Sequence, residues 1–237
     1  MRFYTSLAIL MYHKVDHILP GTRYPGNHVL PEAFEEQLAE LKRLSYQSIT
    51  LEQWIAYKEK RAALPHRSII ITFDDGYEST HRIAWPLLRR YGFSATVFLV
   101  AGLIGKTNVW DVEERQEPLL NASEIREMQD GGITFGSHTH SHLALTRIPR
   151  DEAARELADS RKSLESLLER PVTTLCYPYA KQNRAIRDLA REAGYTAAVI
   201  GRGGKNRVWT DPYALRRIKI DTSTTLGVLR RKLRRFI

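Results

Sequence analysis

The segment SIIITFDDGYES, residues 68–79, sets the reading of the whole chain. Its apolar run, 68–73, has the length and β-branched content of a strand covered on both faces. It runs straight into Asp74, Asp75 and Gly76. Two neighbouring carboxylates at the end of a buried strand repel each other and lose hydration. Either positive charge sits there or one of the two gives up its own charge. A helix cap with Gly76 in the turn is the plainer explanation, but a cap needs one aspartate, not two.

Outward from this segment, short apolar runs recur at 8–12, 95–100, 133–137, 174–177, 197–200 and 217–220. Helical patterns separate them. Pro31 opens one, with Phe34, Leu38 and Leu41 on a common face. A second runs from Thr80 toward Arg90. A third follows NASEIREMQDGG, residues 121–132, with Ser123 as candidate cap and Gly131 as stop. A fourth starts near Asp151 with a Leu157, Leu164 and Leu168 stripe, and a fifth covers 184–193 before Gly194. Strands alternating with helices indicate an α/β domain with a mainly parallel sheet. About seven such strands suit a (β/α) barrel better than an open sheet, and barrel chemistry gathers at the C-terminal strand ends. The polar residues obey that rule. His13 follows the first strand, Asp74 and Asp75 the second, His138, His140 and His142 a later one, and Tyr177 and Tyr179 the run around Cys176.

The bulk numbers are those of a folded domain. The chain has 237 residues, 43% hydrophobic and 27% charged, which excludes disorder. Its net charge of +9 suggests an anionic neighbour. Cys176 is the single cysteine, so no intrachain disulfide forms, and it reads as a small buried strand residue. The apolar run at 7–12 is too short to span a bilayer and lacks the features of a signal peptide, so it reads as the first core strand.

GSHTHSHLALT, residues 136–146, sets His138 and His142 four apart. If the segment turns helically after its strand, both face one metal and His140 points elsewhere. Two imidazoles and a carboxylate form a common catalytic zinc set. One aspartate of the pair would then ligate the metal and the other would stay free as a base. The bland alternative is a histidine-rich surface loop.

TFDDG, SHTHSH and YPY occur in that order, and together they resemble the first three motifs of the polysaccharide deacetylase family, also called carbohydrate esterase family four or the NodB-homology domain. LMYHKV at 10–15 and FEEQLAELKRLSYQSITLEQW at 34–54 resemble the poly-β-1,6-N-acetylglucosamine deacetylase branch, and the similarity covers residues 7–221. The resemblance implies a deformed (β/α) barrel over 1–221 that removes N-acetyl groups from glycans containing N-acetylglucosamine and releases acetate. It implies Asp75, His138 and His142 as ligands of one divalent metal, zinc by default. Asp74 would be the general base and a metal-activated water the nucleophile. The backbone N–H of Tyr179 would help hold the oxyanion, and Tyr179 and Tyr177 would contact the substrate. This chain departs from the family pattern at three points. Cys176 stands where many members carry the arginine that orients the catalytic aspartate, Ala180 replaces a glycine, and no histidine follows His142. His13 is therefore the candidate acid or substrate contact, Arg216 or Arg217 the candidate replacement arginine, and Arg217 a candidate substrate contact as well. Trp110 and Trp209 are candidate sugar platforms. An O-acetyl polysaccharide esterase and a non-catalytic carbohydrate-binding relic are the competing functions.

The tail concentrates the positive charge: LRRKLRRFI holds five basic residues in nine. Leu226, Leu229, Leu233 and Phe236 share a helical face. Residues 222–237 are therefore expected to form a basic amphipathic helix. It either packs on the barrel or holds the protein at an anionic membrane surface. No nucleic-acid motif accompanies the charge. The chain as written suggests a cytoplasmic or membrane-peripheral location, while the resemblance points to the cell envelope.

Overall fold

The computed structural model describes residues 6–201 and 203–234. Eight parallel strands form a nearly closed barrel: β1 (Ala8–Tyr12), β2 (Ser68–Phe73), β3 (Thr96–Leu99), β4 (Thr134–Ser137), β5 (Thr174–Cys176), β6 (Ala197–Ile200), β7 (Leu215–Arg216) and β8 (Ile218–Lys219). Their order is β7-β6-β5-β4-β3-β2-β1-β8, and Gln47–Ser48 adds a short strand against the start of β2. The register of β1 with β2 runs from Ala8 opposite Ile69 to Tyr12 opposite Phe73.

The strand expected at 217–220 is reduced to β8, and a separate short strand, β7, precedes it. β7 ends the sheet on one side and β8 on the other, with Arg217 alone between them in the chain. The barrel's seam therefore falls at one residue.

Side chains alternate across each strand, as a pleat requires. Ile9, Ile70, Phe98, Cys176 and Val199 share one buried cluster with Leu51, Trp54 and Ile55. The last three belong to α2 (Leu51–Lys58), which covers the end of the barrel where the strands begin. Leu10, Ile71, Phe73, Val97 and Leu99 point the other way, into a second cluster under the surrounding helices. This two-sided burial explains the unbroken apolar runs.

The outer helices are α1 (Pro31–Arg43), α3 (Trp85–Tyr91), α4 (Ala122–Asp130), α5 (Arg150–Leu168), α6 (Arg184–Glu192) and α7 (Leu226–Leu233). A π-helical turn, Thr80–Ala84, leads into α3, so the expected single α-helix from Thr80 is divided. Asn121, not Ser123, caps α4: its side chain accepts from the Ser123 and Glu124 N–H groups, and Glu124 reciprocates.

The C-terminal helix starts at Leu226, later than the expected 222, and is committed to the body of the protein. Leu229 and Leu233 are buried in the outer core, and Arg230 forks onto Glu40 of α1 at 2.8 and 3.0 Å. Two residues of the stripe expected to meet lipid, Leu229 and Leu233, are thus already covered by protein. Nothing in that packing supports the membrane-surface expectation, and Phe236 lies outside the described residues. No helix among the described residues is long and apolar enough to cross a membrane.

Candidate metal centre and active site

The site begins where β2 stops. The Asp74 N–H still donates to the Tyr12 carbonyl at 2.9 Å, continuing the ladder. Asp75 and Gly76 then enter left-handed backbone at φ 71° and 74°. Positive φ favours glycine at 76, and a Cβ there would also come within 2.8 Å of Leu99 Cδ2. After this crank the two carboxylates reach different partners.

Asp75 meets the histidines. Its Oδ1 lies 3.3 Å from Nε2 of His138 and 3.3 Å from Nε2 of His142, and all three side chains are buried. Residues 138–142 do not turn helically, as the spacing suggested. They form a loop with Thr139 and His142 at positive φ. Glu156 of α5 holds it, accepting from the N–H groups of His140 and Ser141 at 3.0 and 2.8 Å. Ser137 and Thr139 hydroxyls accept from the Thr139 and His142 N–H groups. His140 does point away, packing against Gly102.

The far nitrogens of both rings also have partners. His138 Nδ1 lies 2.7 Å from the Cys176 carbonyl, and His142 Nδ1 lies 3.2 Å from the Tyr179 hydroxyl. A histidine that donates from Nδ1 keeps its Nε2 lone pair free for a ligand. Trp110 stacks on His142 with ring centroids 4.3 Å apart. Orientation, burial and donor chemistry therefore all fit a divalent cation held by Asp75, His138 and His142, whose ligand atoms lie within 4.8 Å of one another. Asp74, His138 and Cys176 form a second such grouping, but both oxygens of Asp74 are already engaged.

Asp74 is not a free carboxylate. Arg217 forks onto it, Nη1 to Oδ1 at 2.6 Å and Nη2 to Oδ2 at 2.7 Å, with the arginine 1% exposed. The same guanidinium donates to the Ile200 carbonyl, the Thr72 hydroxyl and Cys176 Sγ. Burial pushes the Asp74 carboxyl up, but the Arg217 charge and hydrogen bonds outweigh it and hold the group below its ordinary value. The strand-end puzzle is thus resolved twice over: arginine faces one aspartate and two imidazoles face the other. The compact thiol of Cys176 lies 3.5 Å from Asp74 Oδ2 and leaves room for an arginine arriving from the seam. His13 Nε2 stands 4.0 Å from Asp74 Oδ2, and burial pushes its imidazole pKa down.

Two expected substrate contacts are corrected. Arg217 is sealed behind Asp74, so it positions a charge and touches no substrate. Tyr177 is 1% exposed and donates its hydroxyl to the Tyr213 carbonyl, so it belongs to the core. Tyr179 is half exposed and, with Trp110, His142, Leu143 and Ile148, lines a groove beside the metal centre. Burial pushes its hydroxyl up to about 12. Trp209 is not in this groove and lines a separate cleft. Sequence reading missed Glu156, although a carboxylate on the buried face of α5 beside Leu157 is the kind of misplaced polar residue that signals a role.

A family model described as polysaccharide deacetylase matches residues 61–198. YxkH of Bacillus subtilis, named for the same family, is 28% identical over 217 residues, covering 91% of this chain and 71% of that protein. A poly-β-1,6-N-acetyl-D-glucosamine N-deacetylase of Staphylococcus aureus is 29% identical over 170 residues, 68% of this chain and 57% of its own length. Among solved structures, the Streptococcus pyogenes deacetylase PplD in complex with acetate superposes with a TM-score of 0.85. It is 24% identical and covers 96% of this chain and 97% of that one.

Proposed function

The chain belongs to the polysaccharide deacetylase family, and from that premise we infer that it is a metal-dependent hydrolase removing N-acetyl groups from a glycan containing N-acetylglucosamine. The observation that carries this reading is the divided aspartate pair: Asp75 against two imidazole Nε2 atoms at 3.3 Å, and Asp74 held ionised by Arg217. A divalent cation on Asp75, His138 and His142, zinc by the donor set, supplies Lewis acidity and lowers the pKa of water.

The chain's own groups do the rest. Asp74 takes the proton from the attacking water, and its pairing with Arg217 keeps it ionised to do so. His13, 4.0 Å from Asp74 at the end of β1, relays the proton that Asp74 has taken to the departing nitrogen. The Tyr179 hydroxyl and the Cys176 carbonyl fix the tautomers of His142 and His138. Trp110, Leu143 and Tyr179 shape an apolar slot suited to an acetyl methyl, and the Tyr179 backbone N–H is the proposed donor to the developing oxyanion. Water and an acetamide become acetate and a free amine.

The test is acetate release from β-1,6-linked N-acetylglucosamine oligomers and, in parallel, from O-acetylated xylan, comparing wild type with Asp74→Asn. Acetate from the amide substrate that disappears in the variant supports the reading. Release confined to xylan would make the protein an esterase, and none from either in zinc-loaded enzyme would defeat hydrolysis altogether.

A further inference from the structure

A second cleft begins one residue beyond Tyr179. Ala180 and Gln182 form its near edge, and it continues past Ile200 to Trp209. Four cationic side chains line it: Arg187, Lys205, Arg207 and Arg216. One carboxylate opposes them, Asp211, which pairs with Arg187 at 3.4 Å.

This cationic wall is held in place by the fold. Asn206, fully buried, sits between Lys205 and Arg207. Its carbonyl accepts from the Leu7 N–H at 2.8 Å. Its side-chain amide donates to the Arg216 carbonyl at 2.7 Å and accepts from the Arg216 N–H at 2.7 Å. With Asn206 turned inward on these bonds, Lys205 and Arg207 both lie exposed on the outside. Gly204, at φ 155°, lets the Arg216 side chain lie across it: a Cβ there would come within 2.4 Å of Arg216 Cδ. The next turn closes through the Thr210 N–H to the Arg207 carbonyl and the Arg207 N–H to the Thr210 hydroxyl. It presents Trp209 76% exposed, with the Arg207 guanidinium 5.3 Å from its ring.

Cations gathered along one wall repel one another unless an anion enters, and an indole left in water suits a ligand with an apolar face. A pyranose ring bearing a negative group offers both. We propose that this cleft is a subsite for an acidic saccharide unit, carrying a carboxylate or a phosphodiester, of the polymer whose acetylated sugar enters the Tyr179 groove. The polymer's identity as the substrate rests on the deacetylase reading; the anion preference does not.

The test is binding to the intact protein, read by tryptophan fluorescence and calorimetry. Four probes are compared: a hyaluronan hexasaccharide, an N-acetylglucosamine oligomer bearing a phosphodiester, neutral chitohexaose and a thymidine hexanucleotide. One acidic saccharide should bind about tenfold tighter than the neutral one, the scale of one charged hydrogen bond. Which of the two it is tells carboxylate from phosphate. The preference should vanish in a Lys205→Ala/Arg207→Ala double variant of unchanged thermal midpoint, whereas Trp209→Ala should weaken acidic and neutral saccharides alike. Equal binding of acidic and neutral probes, a preference that survives the double variant, or an oligonucleotide binding more tightly than either saccharide would each overturn the proposal. Binding is read without turnover. Absent acetate release would therefore count against the deacetylase reading alone and leave an observed acidic preference standing.

Discussion

Asp74 and Asp75 are adjacent in sequence yet serve separate electrostatic partners, because Asp75 and Gly76 both occupy left-handed backbone. The carboxylate pair and the two histidines were legible in the sequence, since such residues seldom end buried strands without a purpose. The partner of Asp74 was legible only as one of two adjacent arginines, because nothing local tells which side chain turns inward at a seam. Replacing Arg217 by Met should strand a buried carboxylate and cost about 3–5 kcal/mol, visible in chemical denaturation. Arg217→Lys keeps the charge but loses the fork, so kcat should fall while KM for the glycan stays near wild type. Full kcat in that variant would mean the fork has no positioning role. His142→Ala should drop bound metal well below one per chain by mass spectrometry, and unchanged stoichiometry would reject the ligand assignment. Tyr177 misled because its place in a motif suggested contact, whereas pleating turns it from the rim into the core.

At the scale of elements, most strands were readable from continuous apolar runs, which two-sided burial demands. Several boundaries moved inward by a residue, at Ala95 and Ile133 where strands begin and at Val100 and Tyr177 where they end. α2 went unread, although Thr50 and Gln53 form a capping box at its start and Leu51, Trp54 and Ile55 fall at helical spacing, because it is only 8 residues long. α7 was readable as a helix, but its docking depends on Glu40, 190 residues away in sequence. Hydrogen bonds from Arg43 and Arg230 hold the Glu40 pKa at about 2, below its ordinary 4.5. A depressed carboxylate contributes stability above its unfolded-state pKa and loses it as pH falls through the folded one. Wild type should therefore lose this contribution between pH 4.5 and about 2. Glu40→Gln should be less stable at neutral pH and show a flatter acid limb in thermal melts. Parallel curves for the two proteins would argue that the fork contributes nothing.

Across the whole molecule, the candidate ligands come from two strand ends, β2 and β4, separated by β3 in the barrel. A cation joining them binds the folded state and not the unfolded chain, so it stabilises the fold by mass action. With free zinc about a hundredfold above its Kd, the gain is about 2.7 kcal/mol. EDTA should lower the thermal midpoint by several degrees and zinc should restore it. A midpoint indifferent to both would count against the metal centre independently of any substrate.

The seam carries a consequence for how activity is acquired. Asp74 is translated early, but Arg217 lies between the last two barrel strands. A ribosome-bound chain that has not yet released residue 217 carries every candidate metal ligand and the candidate base. It lacks the cation that lets that base sit ionised in the interior. On the deacetylase reading, the base is therefore readied only as the seam closes, and a chain cut before Arg217 is expected to release no acetate.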